Sequence, residues 1–518
     1  MSTCSGSVRK SHDEDEHTPL KQKIDDYNFD SASEFEAWST PPSTSFMSSC
    51  TLLHCNTTFS RFLAVPITFV QSRIRVRKEQ MNSGQEKLHN TAYLDGMRGL
   101  AAFAVFLCHL SYGTWDITHV YGAGEPGEKS ENTYLLQLPI VRLFYCGPPM
   151  VAIFFVISGY ALSCKPLKQM RSRDFDGLMT TLASSVFRRA LRLFLPCFIS
   201  TFLVACLAQL GIYKVTEDFA YDMRAVHEDH PWTAPDAITQ LLDWMHKMLD
   251  FVNLFDWSLY SGSIDLDRHL WTIPVEMRCS MALFLTHVLV ARMSSRRRIL
   301  TMGFLIGWAT YWNRWEWAPF LAGCVLAELD LREAAKEDTL SLGDVQESKT
   351  LAKIHSFWWK YVCWVTFVAG LYLASYPDAD GHITPGYVTL TSMIPERYTE
   401  KHRFWANIGA VMIVWSASNL ELIRRIFTSS PLQWLGKISF PLYILHGPVI
   451  HTFGYMAMDK TWESIGGYDD FERFKQGYVF AALLIVAVTL WVSDIFLRVV
   501  DTRCVRFARW LEGRFFAP

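Results

Sequence analysis

Charge is scarce in this 518-residue chain: Asp, Glu, Lys and Arg make up 19% of it, against about 25% in soluble domains. The 49 basic and 51 acidic residues nearly cancel, to a net charge of -2. That balance excludes a nucleic-acid binder held by overall positive charge, and a hydrophobic share of 50% excludes a disordered chain. Paired cysteines are lacking too. The 12 cysteines are scattered, form no CxxC, and at Cys108, Cys206, Cys279 and Cys363 lie in apolar runs. They are expected as buried free thiols, not as a disulfide framework or a metal site. No basic stretch followed by an apolar one opens the chain as a secretory signal would. No GxSxG occurs, which disfavours a serine hydrolase. His246 and Asp250 match HxxxD, but in a polar loop without a second motif.

Long apolar runs are abundant. The mean hydropathy of +0.10 averages two unlike regions. Residues 1–90, rich in Ser, Thr, Asp and Glu, read as a disordered cytosolic tail. Near its end come a nine-residue apolar stretch, Phe62 to Val70, and the basic residues Arg73, Arg75, Arg77 and Lys78. That stretch is too short to span a bilayer, which takes about 20 residues. Residues 91–518 read as an all-α, polytopic membrane helix bundle. About ten transmembrane helices are expected, near 98–113, 146–164, 191–212, 271–292, 298–313, 315–329, 357–376, 404–420, 434–456 and 478–500. Trp312, Trp315, Trp358, Trp359 and Tyr361 crowd segment ends, as interfacial aromatics do.

The loops alternate in charge. Arg and Lys cluster after the second, fourth, eighth and tenth segments, whereas Glu125, Glu128, Glu131, Glu217, Asp218 and Glu228 mark intervening loops. The positive-inside rule then places both termini in the cytosol, and an even number of crossings agrees. Asn56-Thr57-Thr58 fits a glycosylation sequon, but on this topology it lies in the cytosol and reads as chance.

Charges at membrane depth are costly and usually functional. Arg98 and His109 are eleven residues apart, nearly three turns, so they share one helix face, separated by a rise of about 16 Å. With Arg98 at the cytosolic boundary, His109 falls near mid-bilayer, where a neutral imidazole accepts a hydroxyl proton without a permanent charge. Glu276 lies within the fourth segment, placed to orient a histidine, bind an acceptor or form an ion pair. Arg188 and Arg192, one turn apart beside Arg189, suit either phosphate groups or lipid headgroups. For His446, and for Ser158 and Gly159, packing is the default reading.

Five blocks in order, YLDGMRGLAAFAVFLCH, FFVISGYALS, FRRALRLFLP, LWTIPVE and GKISFPLYILH, resemble the acyltransferase-3 family of integral-membrane acyltransferases. The likeness runs from about residue 93 to 500, and the long polar tail resembles members from filamentous fungi. It implies O-acyl transfer from cytosolic acyl-CoA, acetyl-CoA foremost, to a hydroxyl. His109 would be the catalytic base, Arg98, Arg188, Arg189 and Arg192 would bind the donor or hold the site, and Glu276 would serve the acceptor side. The chain departs from the family at Met277-Arg278-Cys279-Ser280, which puts the acceptor pocket in question. No metal is expected. The partners expected are the lipid bilayer, acyl-CoA and a small hydroxyl-bearing acceptor, here a fungal secondary metabolite. The alternatives are acylation of a cell-surface glycan or lipid, and a proton-coupled transporter or acyl-group exporter, which would use the same intramembrane Arg, His and Glu.

Overall fold

A computed structural model describes residues 68–76, 78–79, 88–124, 130–223, 225–256, 263–341 and 349–516. Most of the polar tail, with the Phe62–Val70 stretch up to residue 67 and the sequon, lies outside the described residues. Among these the fold is all-α, with one isolated bridge, Ile264 to Asp267, and no strand.

Each predicted apolar segment lies on a helix. The long elements are α1 (Ala92–Tyr112), α2 (Gly147–Ser172), α3 (Phe175–Gln209), α4 (Ala237–Phe251), α5 (Thr272–Val290), α6 (Ser295–Tyr311), α7 (Trp317–Ser341), α8 (Lys349–Ala374), α9 (Lys401–Asn419), α10 (Ser430–Val449), α11 (Tyr455–Ile465), α12 (Phe471–Phe496) and α13 (Thr502–Phe515). Six helical stretches are long and apolar enough to cross a membrane, or seven if the bent pair Lys401–Asn419 and Glu421–Phe427 is one span. α6, α7 and α10 fall outside that test. The outer face of α8 exposes Trp358, Val365 and Val368, as lipid-facing helices do.

Contacts between connections show which helix ends share one end of the bundle. Arg142 donates to the Ser375, Tyr376 and Ile117 carbonyls and pairs with Asp378 at 3.1 Å. Asn313 meets Thr399, and Thr216 donates to the His451 carbonyl. This loop end therefore gathers the described residues of 113–124, 130–146, 210–223, 225–256, 263–271, 311–316, 375–400 and 450–470. At the opposite, termini end, Gln433 donates to the Ala92 carbonyl, Ser184 bonds Glu512, and Arg298 and Arg171 share Glu328. Arg73 of the basic run is turned inward, 3.8 Å from Asp494.

Two pairs of helices meet at backbone distance. A Cβ on Gly99 of α1 would lie 2.3 Å from the Gly436 nitrogen of α10, and one on Gly159 of α2 would lie 2.1 Å from the Phe320 oxygen of α7. The small residues of the DGMRG, SGY and GKISF blocks thus remove side chains where helices must touch. Gly99→Val should open the α1–α10 contact and destabilise the protein by roughly 1–3 kcal/mol, the usual cost of overpacking. A thermal melt followed by fluorescence-detected gel filtration checks this against Gly303→Val, whose Cβ meets nothing within 4 Å.

Candidate active site

At the loop end four histidines converge. α1 supplies His109, three residues before its last residue, Tyr112. α10 supplies His446. His269 stands on the 3₁₀ turn Arg268–Trp271 before α5, and His451 on the π-turn Ile450–Gly454 after α10. On a regular α-helix His446 and His451 would point about 140° apart. The π-turn redirects the second, so that both rings reach His269, with centroids at 4.9 and 5.9 Å. His109 lies 4.2 Å from His269 and 5.1 Å from His446.

His269 is held on several sides. Asp267 caps its turn, accepting from the His269 backbone N–H at 3.1 Å and from Nδ1 at 2.9 Å. The Tyr443 hydroxyl donates to the His269 carbonyl, so the Thr272 hydroxyl donates to Tyr443, at 2.6 Å. A Cβ on Gly447 would lie 2.4 Å from His269 Nδ1, so only glycine allows this approach. Glu228, from the loop after α3, accepts from His451 Nε2 at 2.7 Å and lies 3.5 Å from His269 Nε2. Burial alone would raise the Glu228 carboxyl, but attraction to His269 and the His451 hydrogen bond outweigh it and hold it well below the usual carboxylate range.

The other ring nitrogens are poised differently. His446 is fully buried, and its Nδ1 donates to the Leu442 carbonyl at 3.2 Å. Its Nε2 lone pair, like Nδ1 of half-buried His109, has no partner among the described residues. An imidazole with a vacant nitrogen, against a fixed second imidazole, is what a general base requires.

The predicted arginines lie elsewhere. Arg98 is nearly two turns inside α1, not at its start, and His109 lies in the last turn of α1, at the loop end. Arg98 donates to Ser439 Oγ at 3.0 Å and the Gly436 carbonyl at 3.1 Å, and pairs with Asp95 at 3.2 Å, tying α1 to α10. Arg189 pairs with Glu276 at 2.5 Å and donates to Ser280, while Ser158 donates to the same carboxylate at 2.8 Å. Glu276 thus takes the ion-pair option and binds α2 and α3 to α5. Arg192 is exposed, and its charged neighbours are Asp501, Arg98, Arg189 and Glu276. Arg188 departs from them, pairing with Glu512 of α13 at 3.3 Å.

A family model described as an acyltransferase domain matches residues 91–498. The chain belongs to the acyltransferase-3 family. It is 31% identical over 466 residues to the O-acetyltransferase PaAT-1 of Phomopsis amygdali, covering 85% of this chain and 88% of that protein. It is 27% identical over 466 residues to the acyltransferase clz18 of Cochliobolus lunatus, covering 80% and 95%. No solved structure matches it. The protein is thus an acyltransferase acting on groups other than aminoacyl, and its apolar helices mark it as a multi-pass membrane protein.

His269, Asp267, Glu228 and His451 had no role in the sequence reading, and His446 had only a packing role. The one signal available was the presence of these ionisable groups beside apolar segments at loop ends. For the Arg189–Glu276 pair, Glu276→Ala should cost about 3–5 kcal/mol by leaving Arg189 uncompensated. Adding Arg189→Met should recover much of that loss in the melting temperature, whereas equal melting of Glu276→Ala and wild type would contradict the pairing.

Proposed function

We propose that this acyltransferase transfers an acetyl or other short acyl group from acyl-CoA to a hydroxyl of a small molecule, with His109 as general base. The observation that carries the reading is the unpartnered Nδ1 of half-buried His109 against the clamped His269 ring. The acceptor oxygen loses its proton to His109 and attacks the thioester carbonyl. The tetrahedral intermediate then breaks its C–S bond, and the departing thiolate takes the proton back from the imidazolium.

The donor enters from the termini end, which the charge pattern assigns to the cytosol. Arg192, exposed among Arg98 and Arg189, receives its phosphates. From Arg98 to His109 the rise along α1 is about 16 Å, a gap the extended pantetheine arm of coenzyme A can span. The printed name of PaAT-1, an O-acetyltransferase, supports acetyl as the group and oxygen as the acceptor atom. Likeness to proteins of filamentous fungi supports a secondary metabolite as acceptor.

With labelled acetyl-CoA and purified protein, His109→Ala should lower kcat by roughly 10² to 10⁴ at little changed KM for the donor. Arg192→Ala should instead raise that KM. Transfer at the wild-type rate by His109→Ala would reject the base assignment. Mass spectrometry of a deletion strain against its parent should show one metabolite lacking a single acyl mass. A change confined to wall polysaccharide would reject the small-molecule acceptor.

A further inference from the structure

We propose that Glu228, His269 and His451 bind a zinc ion. One ligand atom from each lies within 4.8 Å of the others, and they surround a small cavity of about 20 Å³, room for a single water or ion. Asp267 lines the same cavity. It accepts a hydrogen bond from Nδ1 of His269, which leaves Nε2 as the ring atom facing Glu228, 3.5 Å away. A carboxylate behind the histidine is the usual support of a metal-bound imidazole. The second Asp267 oxygen is buried without a partner among the described residues, so the site keeps one open carboxylate acceptor beside the cavity. Glu228 and Asp267 together match the charge of a divalent cation. Arg268, which also lines the cavity, pairs with Asp229 at 2.7 Å, and Lys247 pairs with Asp265 of the lining at 3.0 Å.

Two imidazoles and one carboxylate with a vacant fourth position form a zinc set of the catalytic type. The three ligands come from a loop, a 3₁₀ turn and a π-turn more than forty residues apart. No sequence spacing therefore reveals them, and the expectation of no metal came from the family resemblance and its base-assisted acyl transfer. His109, His269 and His446 also converge, but a metal there would occupy the proposed base. On the acyl-transfer reading, a hydroxyl bound at the vacant position becomes more acidic and passes its proton to His109. Zinc binding itself is independent of that reading.

The test measures zinc in full-length protein purified in detergent, loaded with Zn²⁺ alone and freed of excess by gel filtration. Wild type and His109→Gln should each hold about one zinc per chain, and a Glu228→Gln/His451→Gln variant none. Asp267→Asn should bind about 10- to 100-fold more weakly. Cobalt(II) in place of zinc should give the visible spectrum of a tetrahedral site. A wild-type protein that retains no zinc overturns the proposal, whether or not the variants fold. So does zinc kept by the double variant, or lost from His109→Gln, which would place the ion in the other trio. Failure of acyl transfer with zinc retained would count against the catalytic reading alone.

Discussion

The backbone contact between α1 and α10 is the constraint on which the site depends. Gly99 and Gly436 let the two helices approach until a single methyl group would collide. Arg98 then spans the joint to Ser439 and the Gly436 carbonyl. Because both helices run from the termini end to the loop end, this register brings His109 and His446 to the same level, 5.1 Å apart. Tyr443, one turn before His446, reaches back to the His269 carbonyl. A single helix–helix contact thus locates three of the four histidines.

Polar groups are divided between two levels. Arg98, Arg189 and Glu276, with exposed Arg192 beside them, lie toward the termini, while the imidazoles, Glu228 and Asp267 sit under the loops. Arginine's fixed fork suits phosphate, and imidazole suits proton transfer. On the proposed reading, the separation would let a long donor be held at one level and react at the other. It also explains why Glu276 has no contact with the histidines among the described residues: its carboxylate is engaged by Arg189 and Ser158.

Apolar runs announced the ten apolar helices, because a run near membrane length fixes an element with little help from its neighbours, but not the amphipathic α4, read as a polar loop around His246 and Asp250, nor α13. The shared face of Arg98 and His109 was equally legible, since helical periodicity is local. The partners of His109 were not. Glu228 and Asp267 sit in polar connections where acidic residues are ordinary, and only folding brings them under α1. His451 would face away from His446 on an α-helix, and the π-turn that redirects it has no spacing signature. The one-turn spacing of Arg188 and Arg192 suggested a joint role, yet Glu512 of the distant α13 engages Arg188.

The proposed function would put the donor on the termini face and the base under the loops. Sidedness in proteoliposomes of known orientation tests this most directly. Labelled acetyl-CoA is supplied to one face at a time, with acceptor available on both. The arrangement predicts transfer only when acetyl-CoA meets the face that carries the two termini. Equal transfer from acetyl-CoA confined to the loop face would contradict it.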